Sequence, residues 1–235
     1  MAASQKDITL RVIATIQTEF PTKFGIPRQS GIAQTRGVIR FMPEFRNPDA
    51  VRGLEGYSHV WLLWCFSESV RDEWSPTVRP PRLGGNRRMG VFATRSPFRP
   101  NPIGLSSVKL LSVVTEGKDA PYLVVEGADL MDGTPIYDIK PYLPFTDSYP
   151  DAVGGFADDV KDEELTVVFP EELKEILPAE ALSALLSLLK DDPRPHYQKD
   201  ASRIYGFPFS GYEIRFCVEG DTLTVTDVIK EGNAK

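Results

Sequence analysis

The sequence predicts a mainly β protein, in which an antiparallel or mixed β-barrel precedes a small α+β unit. Short apolar runs separated by proline and glycine fill the first 145 or so residues, and few long helical patterns intervene. Between 151 and 175 the composition becomes acidic, with nine carboxylates against two lysines. We therefore expect a barrel domain at 1–150 and an α+β domain at 151–235.

The barrel prediction rests on seven strand candidates. In the first, residues 8–16, an apolar residue occupies every second position, which is the period of a half-buried strand. The others follow at short, irregular intervals, at 37–41, 60–66, 89–94, 106–114, 122–127 and 136–142.

The C-terminal unit shows both helical and hairpin signals. Pro170 followed by two glutamates is typical of a helix start. Leucines at 182, 185, 186 and 189 form one stripe of a helix over 181–190, which ends before Pro193. Residues 212–219 and 222–229 then predict a hairpin around Gly220.

The bulk composition is that of an ordinary globular protein, with 41% hydrophobic residues and a net charge of -6. No apolar run approaches the roughly 18 residues of a membrane span, and the N-terminus lacks an export signal. Cys65 and Cys217 lie in apolar runs, which favours buried free thiols over a disulfide. Two histidines and two distant cysteines predict no metal site. We expect a cytoplasmic protein.

A basic window stands out in this acidic chain. Residues 74–109 carry seven basic side chains and no carboxylate. Such a contrast concentrates an anionic ligand at one place on the surface, although a solvated loop whose arginines pair with acids elsewhere is an alternative. The glycine fingerprints of P-loop and Rossmann proteins and the nucleophile elbow of hydrolases are absent, so any cofactor needs another scaffold.

Three motifs carry a family resemblance. They are Arg95-Ser-Pro-Phe-Arg-Pro-Asn-Pro-Ile-Gly104, Asp132-Gly-Thr-Pro-Ile-Tyr-Asp-Ile-Lys-Pro-Tyr142 and Asp192-Pro-Arg-Pro-His-Tyr197. On these motifs the chain closely resembles the TsaA-like family of tRNA methyltransferases, which act on N6-threonylcarbamoyladenosine at position 37. The resemblance implies a single-sheeted β-barrel that binds S-adenosylmethionine, usually as a homodimer. With a small C-terminal α+β domain, such proteins methylate N6 of that adenosine in threonine tRNAs.

The resemblance also implies which residues contact the cofactor. By chemistry, Arg28 or Arg95 suits its carboxylate and Asp129 or Asp132 its ribose hydroxyls, whereas the alternative for 132–135 is a tight turn. The implied contacts are Pro27, Arg28, Gln29, Ser67, Glu68, Arg95, Leu105, Asp129, Leu130, Met131 and Asp132.

The acceptor nitrogen must lose its proton during or after attack on the methyl group. We expect Asp138 to belong to the catalytic site, with Lys140 or Tyr142 orienting the substrate, and Asn101 held by the neighbouring prolines. A salt bridge at the strand end is the alternative for Asp138. Near-normal turnover of an Asp138→Asn variant would contradict a role as proton acceptor.

The candidates for tRNA contact are basic or aromatic. Phosphate contacts would make binding fall steeply with salt, and a splayed base would be recognised by stacking. Two rival functions are the same barrel acting on another methyl acceptor and a non-catalytic RNA-binding protein, which need not bind the cofactor. The candidates are Arg79, Arg82, Arg87, Arg88, Arg99, Arg194 and Tyr197.

Overall fold

The N-terminal part of the chain forms a closed six-stranded barrel in the computed structural model, which describes residues 8–80, 87–159, 164–194, 200 and 202–232. The strand order around the barrel is β1-β2-β7-β6-β3-β8, with every neighbouring pair antiparallel. The predicted barrel is confirmed. Its strands are β1 (Ala14–Gln17), β2 (Arg36–Phe41), β3 (His59–Cys65), β6 (Ile103–Val114), β7 (Tyr122–Glu126) and β8 (Pro135–Pro141).

The barrel closes because alternate residues of its strands are apolar. On β3, Val60, Leu62 and Trp64 point inward and are buried, while Trp61 and Leu63 are half-buried and face the barrel exterior. The inward set meets its counterparts from β2 and β7, including Ile39 and Val125, which are fully buried. This period of two places Trp64 inside the barrel and Trp61 outside it.

Two predicted strands are shorter in the structure. The alternation of 8–16 becomes a strand only at Ala14, and Ile8 is 85% exposed. The ladder with β2 ends at the pair Ala14 and Phe41, so the alternating residues before Ile13 pair with no strand in the part of the chain that the structure describes. Of 89–94, only β5 (Met89–Gly90) is a strand, paired with β4 (Thr77–Val78), and a 3-10 turn follows at Val91–Ala93.

A second sheet and its helices form the C-terminal part. The sheet has the order β10-β11-β12-β9, with β9 parallel to β12. The predicted hairpin is confirmed, and Gly220 supplies its positive φ of 59°. β9 and β10 were not predicted. The elements are α1 (Pro144–Asp147), β9 (Thr166–Val168), α2 (Glu171–Lys174), α3 (Ala179–Lys190), β10 (Tyr205–Phe209), β11 (Tyr212–Glu219) and β12 (Thr222–Lys230).

The helix α3 packs its leucine stripe on this second sheet. Leu185 and Leu189 are fully buried, together with Leu188, whereas the predicted stripe members Leu182 and Leu186 lie at the edge of the contact. The helix begins two residues before its predicted start. No helix among the described residues is long and apolar enough to cross a membrane.

The segment between β1 and β2 joins the two parts. Phe20 and Ala33 are buried in the core of the C-terminal part instead of the barrel core. Gly25 has φ of 91°, and a Cβ there would lie 2.4 Å from the Phe207 ring, so the close approach requires glycine. This contact fixes residues 27–29 between the barrel and the second sheet.

Candidate functional site

A cavity of about 990 Å³ opens at the end of β3, where β6 begins. Its walls come from the 26–29 loop, from β3 and the turn after it, from the basic loop at 92–101, and from residues 129–134. The motif at 95–104 and the segment at 129–134, which are distant in sequence, meet in this cavity. Its volume lies at the upper end of the range for small-molecule and cofactor sites.

Most of the residues expected to contact a cofactor line this cavity. Leu130 does not, because its side chain is fully buried in the barrel core. Asp132 does not either, since its Oδ1 accepts a hydrogen bond of 3.0 Å from the Thr18 amide. Asp132 and the left-handed Gly133 form the tight turn that was the alternative interpretation. The lining residues are Pro27, Arg28, Gln29, Ser67, Glu68, Arg95, Leu105, Asp129 and Met131.

A hydrogen-bonded chain orients the Asp129 carboxylate in the cavity wall. The Trp64 indole Nε1 donates to Ser106 Oγ at 3.0 Å, and Ser106 Oγ donates to Asp129 Oδ1 at 2.6 Å. Burial raises the pKa of Asp129 above its usual value, and the opposing hydrogen bond from Ser106 and the charge of Arg95 do not cancel that effect. The sequence analysis missed Ser106 as a site residue. The sequence signals its role only through its position on β6, where it lies on the inward-facing side of the strand.

Two arginines anchor the 27–29 loop at the cavity. Arg95 Nη1 donates to Gln29 Oε1, across the cavity mouth. Arg28 Nη2 donates to the backbone carbonyl of Asp192, and its Nε lies 3.9 Å from Asp191 Oδ2. The Arg28 guanidinium therefore bonds to the corner after α3, which ties the cavity wall to the C-terminal part.

The four residues expected to act in catalysis do not meet within one chain. Asn101 lines the cavity. Asp138 and Lys140 lie on β8 opposite Leu63 and Trp61, progressively further from the cavity end of β3. Tyr142 lies beyond them, where its amide donates to the His59 carbonyl at 3.0 Å. Asp138 Oδ2 and Lys140 Nζ form an ion pair of 2.8 Å, the alternative that the sequence left open.

The expected tRNA contacts other than Arg194 fall into three groups. Arg99 lines the cavity, and its Nη1 donates to the Thr94 carbonyl at 3.1 Å. Arg79, Arg87 and Arg88 are exposed around the β4–β5 pair, outside the cavity. Arg82 and Tyr197 lie outside the described residues.

Arg194 differs from the prediction because its guanidinium is largely buried. Its Nε and Nη2 donate to the two carboxylate oxygens of Asp192 at 2.9 and 3.0 Å. The two side chains are only 13% and 12% exposed. Arg194 therefore stabilises the corner after α3, and its charge is not presented on the surface.

Comparisons with known proteins agree with this architecture. Residues 15–148 match the tRNA-methyltransferase O N-terminal domain, and residues 162–231 match the TrmO C-terminal domain. The tRNA (adenine(37)-N6)-methyltransferase of Escherichia coli K12 is 44% identical over 215 residues, which cover 88% of this chain and 91% of that protein. A putative S-adenosylmethionine-dependent methyltransferase of Pseudomonas aeruginosa is 43% identical, covering 83% and 85% of the two chains.

A solved structure shows the same fold. The crystal structure of TrmO from Pseudomonas aeruginosa superimposes with a TM-score of 0.72 and 33% identity. The match covers 95% of this chain and 99% of that one, so both the barrel and the C-terminal sheet have counterparts.

Proposed function

Because this chain belongs to the tRNA-methyltransferase O family, we propose that it is an S-adenosylmethionine-dependent methyltransferase acting on N6 of adenine 37 in tRNA. The observation that carries the proposal is the cavity at the end of β3, in which the motif at 95–104 meets the oriented carboxylate of Asp129. The acceptor in this proposal is N6-threonylcarbamoyladenosine of threonine tRNAs. We also propose a cytoplasmic location, where tRNA is available as the substrate.

The cavity residues fit the chemistry of the proposed cofactor. S-adenosylmethionine carries a carboxylate, a ribose diol, an adenine and a positive sulfonium. Arg95 lies at the cavity mouth, where it can pair with the cofactor carboxylate. Asp129 can accept hydrogen bonds from the diol, and the apolar side chains of Phe66 and Leu105 offer surface to the adenine.

The protein's contribution to the reaction is alignment and charge. When bound, the sulfonium supplies an electrophilic methyl group. The rigid loop with Pro97, Pro100 and Pro102 fixes Asn101 and Arg99 beside the cavity, so that an acceptor nitrogen can be held in line. Such alignment contributes about 7–11 kcal/mol in favourable cases. In this proposal Asp138 accepts the proton, although within one chain it lies outside the cavity lining.

We also propose a homodimer of two-domain chains. Leu105 is 55% exposed on the outer face of β6, although it lines the cavity. Its neighbour across the ladder is Leu63, which pairs on its other side with Asp138. A second copy covering this face would close the cavity wall and approach Asp138. The proposed domains, 1–150 and 151–235, are supported by the two separate hydrophobic cores, with Phe20 and Ala33 of the first domain packed in the core of the second.

The direct test uses labelled S-adenosylmethionine and two pools of threonine tRNA, one with threonylcarbamoyladenosine and one unmodified. We expect label at nucleoside 37 of the modified pool alone. Label in neither pool, with cofactor binding intact, would point to another methyl acceptor. If the protein also failed to bind the cofactor, the proposal of an enzyme would be refuted, and a non-catalytic RNA-binding protein would be the remaining hypothesis.

The Asp129 carboxylate gives a pH-dependent prediction. Because burial raises the pKa of Asp129 above its usual 3.8, the carboxylate takes up its proton, and loses its charge, at a higher pH than an ordinary aspartate does. We expect the cofactor affinity of the wild type to fall as the pH is lowered from 7 towards that pKa. Asp129→Asn is expected to bind about 10- to 100-fold more weakly at pH 7, because hydrogen bonds to a charged group are lost.

Titration calorimetry from pH 8 down to the lowest pH at which the protein stays folded measures this difference. The affinity of Asp129→Asn should vary little across that range. Asp147→Asn is a suitable control, since its carboxylate binds Trp61 near the opposite end of β3. Parallel pH profiles of the wild type and Asp129→Asn would show that another group controls the affinity.

A further inference from the structure

Three aromatic rings beside the cavity are unusually exposed. Trp74 is 52% exposed, Phe92 74% and Phe98 40%. They lie in and next to the basic window, in the segments flanking β4 and β5. Clustered apolar rings exposed at this level are typical of a binding surface. We name Trp74, Phe92 and Phe98 the aromatic strip.

The aromatic strip is continuous with the cofactor cavity. Phe92 lines that cavity, and its ring lies 6.2 Å from the Trp74 ring at an interplanar angle of 31°. Trp74 and Phe98 in turn line a second, shallower cavity of about 580 Å³. A ligand that leaves the first cavity past Phe92 therefore meets the face of Trp74 next.

The charges around the aromatic strip favour phosphates at one place and nucleobases at another. The Arg71 guanidinium lies 3.9 Å from the centre of the Phe98 ring, which adds a flat cation to the surface. Arg99, which lines the cavity and is not assigned to the cofactor, can receive a phosphate. The second cavity also contains Asp72 and Glu73, which repel phosphates but accept hydrogen bonds from the amino groups of bases.

We propose that the aromatic strip binds unpaired nucleobases of the anticodon loop that flank the methylated adenosine. This proposal rests on the proposed function. Single-stranded RNA is recognised by stacking of splayed bases on aromatic rings and arginine planes. Such stacking accepts any of the four bases, because each base has a flat aromatic face. With adenosine 37 in the first cavity, its neighbour in the loop lies over Phe92 and Trp74, and the phosphate between the two nucleosides lies towards Arg99.

The test compares Trp74→Ala and Phe92→Ala with Phe145→Ala. Phe145 is 85% exposed and follows β8 at the other end of the barrel, so it controls for loss of a surface ring. We expect KM for tRNA to rise about 5- to 150-fold in the first two variants, the range for loss of one base stack. The kcat of Trp74→Ala and its affinity for S-adenosylmethionine should match those of Phe145→Ala. Phe92→Ala is compared by KM for tRNA alone, because Phe92 also lines the cofactor cavity. Trp74→Phe should restore most of the KM.

A second readout does not depend on methyl transfer. Trp74 is the most exposed of the three tryptophans. An anticodon stem-loop RNA should therefore quench the tryptophan fluorescence of the wild type, and this quenching should be absent in Trp74→Phe. Quenching without methylation of any tRNA would support the aromatic strip and refute the proposed function. Unchanged KM in both alanine variants would overturn the proposal. Loss of self-association in Trp74→Ala, seen by sedimentation, would also overturn it and assign the surface to a second copy.

Discussion

Replacing Gly104 with alanine is expected to destabilise the barrel by about 1–3 kcal/mol, the usual cost of overpacking a core, and to abolish cofactor binding. A Cβ at this position would lie 2.2 Å from Cε2 of the Trp64 indole. Gly104 and Trp64 face each other across the β3–β6 ladder. The indole has little room to retreat, because it is 7% exposed and its centre lies 4.3 Å from that of the Phe66 ring.

The loss of binding follows from the hydrogen-bonded chain behind the cavity wall. When the indole moves, Trp64 Nε1 no longer meets Ser106 Oγ, and Ser106 loses the orientation in which it donates to Asp129. Phe66, which packs on the indole, also lines the cavity and would move with it. The variant should therefore lose affinity for S-adenosylmethionine even at temperatures where it stays folded.

Urea unfolding and calorimetric titration with S-adenosylmethionine separate the two effects. Gly56→Ala is the matched control, since a Cβ at Gly56, the last residue of a 3-10 turn, meets nothing within 4 Å. We expect Gly56→Ala to change the free energy of unfolding by less than about 1 kcal/mol. Wild-type affinity in Gly104→Ala would show that the cavity tolerates the displaced indole.

The barrel was predictable because alternation reports burial directly. β3, β6, β7 and β8 were predicted to within three residues at each end, since each has an apolar inner face. The strand prediction failed for most of 8–16. Alternation of apolar residues shows which side chains could face a core, but a strand also needs a neighbouring strand with free hydrogen-bonding groups. Here the ladder ends near Ile13.

The site was predictable only in part, because its key contacts join distant residues. The family resemblance supplied the motifs that line the cavity, whereas the bond from Trp64 to Ser106 spans 42 positions and that from Arg28 to Asp192 spans 164. Neither pair has a local pattern. Conversely, Asp138 and Lys140 are two apart on one strand face, so their ion pair was foreseeable as the structural alternative.

The corner after α3 is expected to depend strongly on the charge of Asp192. We expect Asp192→Asn to lower the free energy of unfolding by about 3 kcal/mol, because it leaves the largely buried Arg194 guanidinium without its counter-ion. Asp192 has φ of 49°, a left-handed conformation that asparagine tolerates. The substitution therefore removes charge without adding backbone strain. Asp49→Asn, in an exposed pair with Arg52, should cost less than about 1 kcal/mol.

The pH dependence of this difference identifies its cause. Burial would raise the pKa of Asp192, but the hydrogen bonds and charge of Arg194, with the charge of Arg28, outweigh it and lower the pKa below 3.8. A lowered pKa gives stability that is complete above the unfolded value and is lost as the pH falls through the folded value. The gap in unfolding free energy between wild type and Asp192→Asn should thus be constant near pH 7 and shrink below pH 4.

Cofactor affinity provides a second measurement on the same variant. Arg28 donates to the Asp192 carbonyl and lines the cavity, so a loosened corner should free the 27–29 loop and weaken S-adenosylmethionine binding. Asp49→Asn should bind as the wild type does. If Asp192→Asn unfolded more easily yet kept full affinity, the corner would serve only the C-terminal part, and the cavity wall would be held by Arg95 and Gln29 alone.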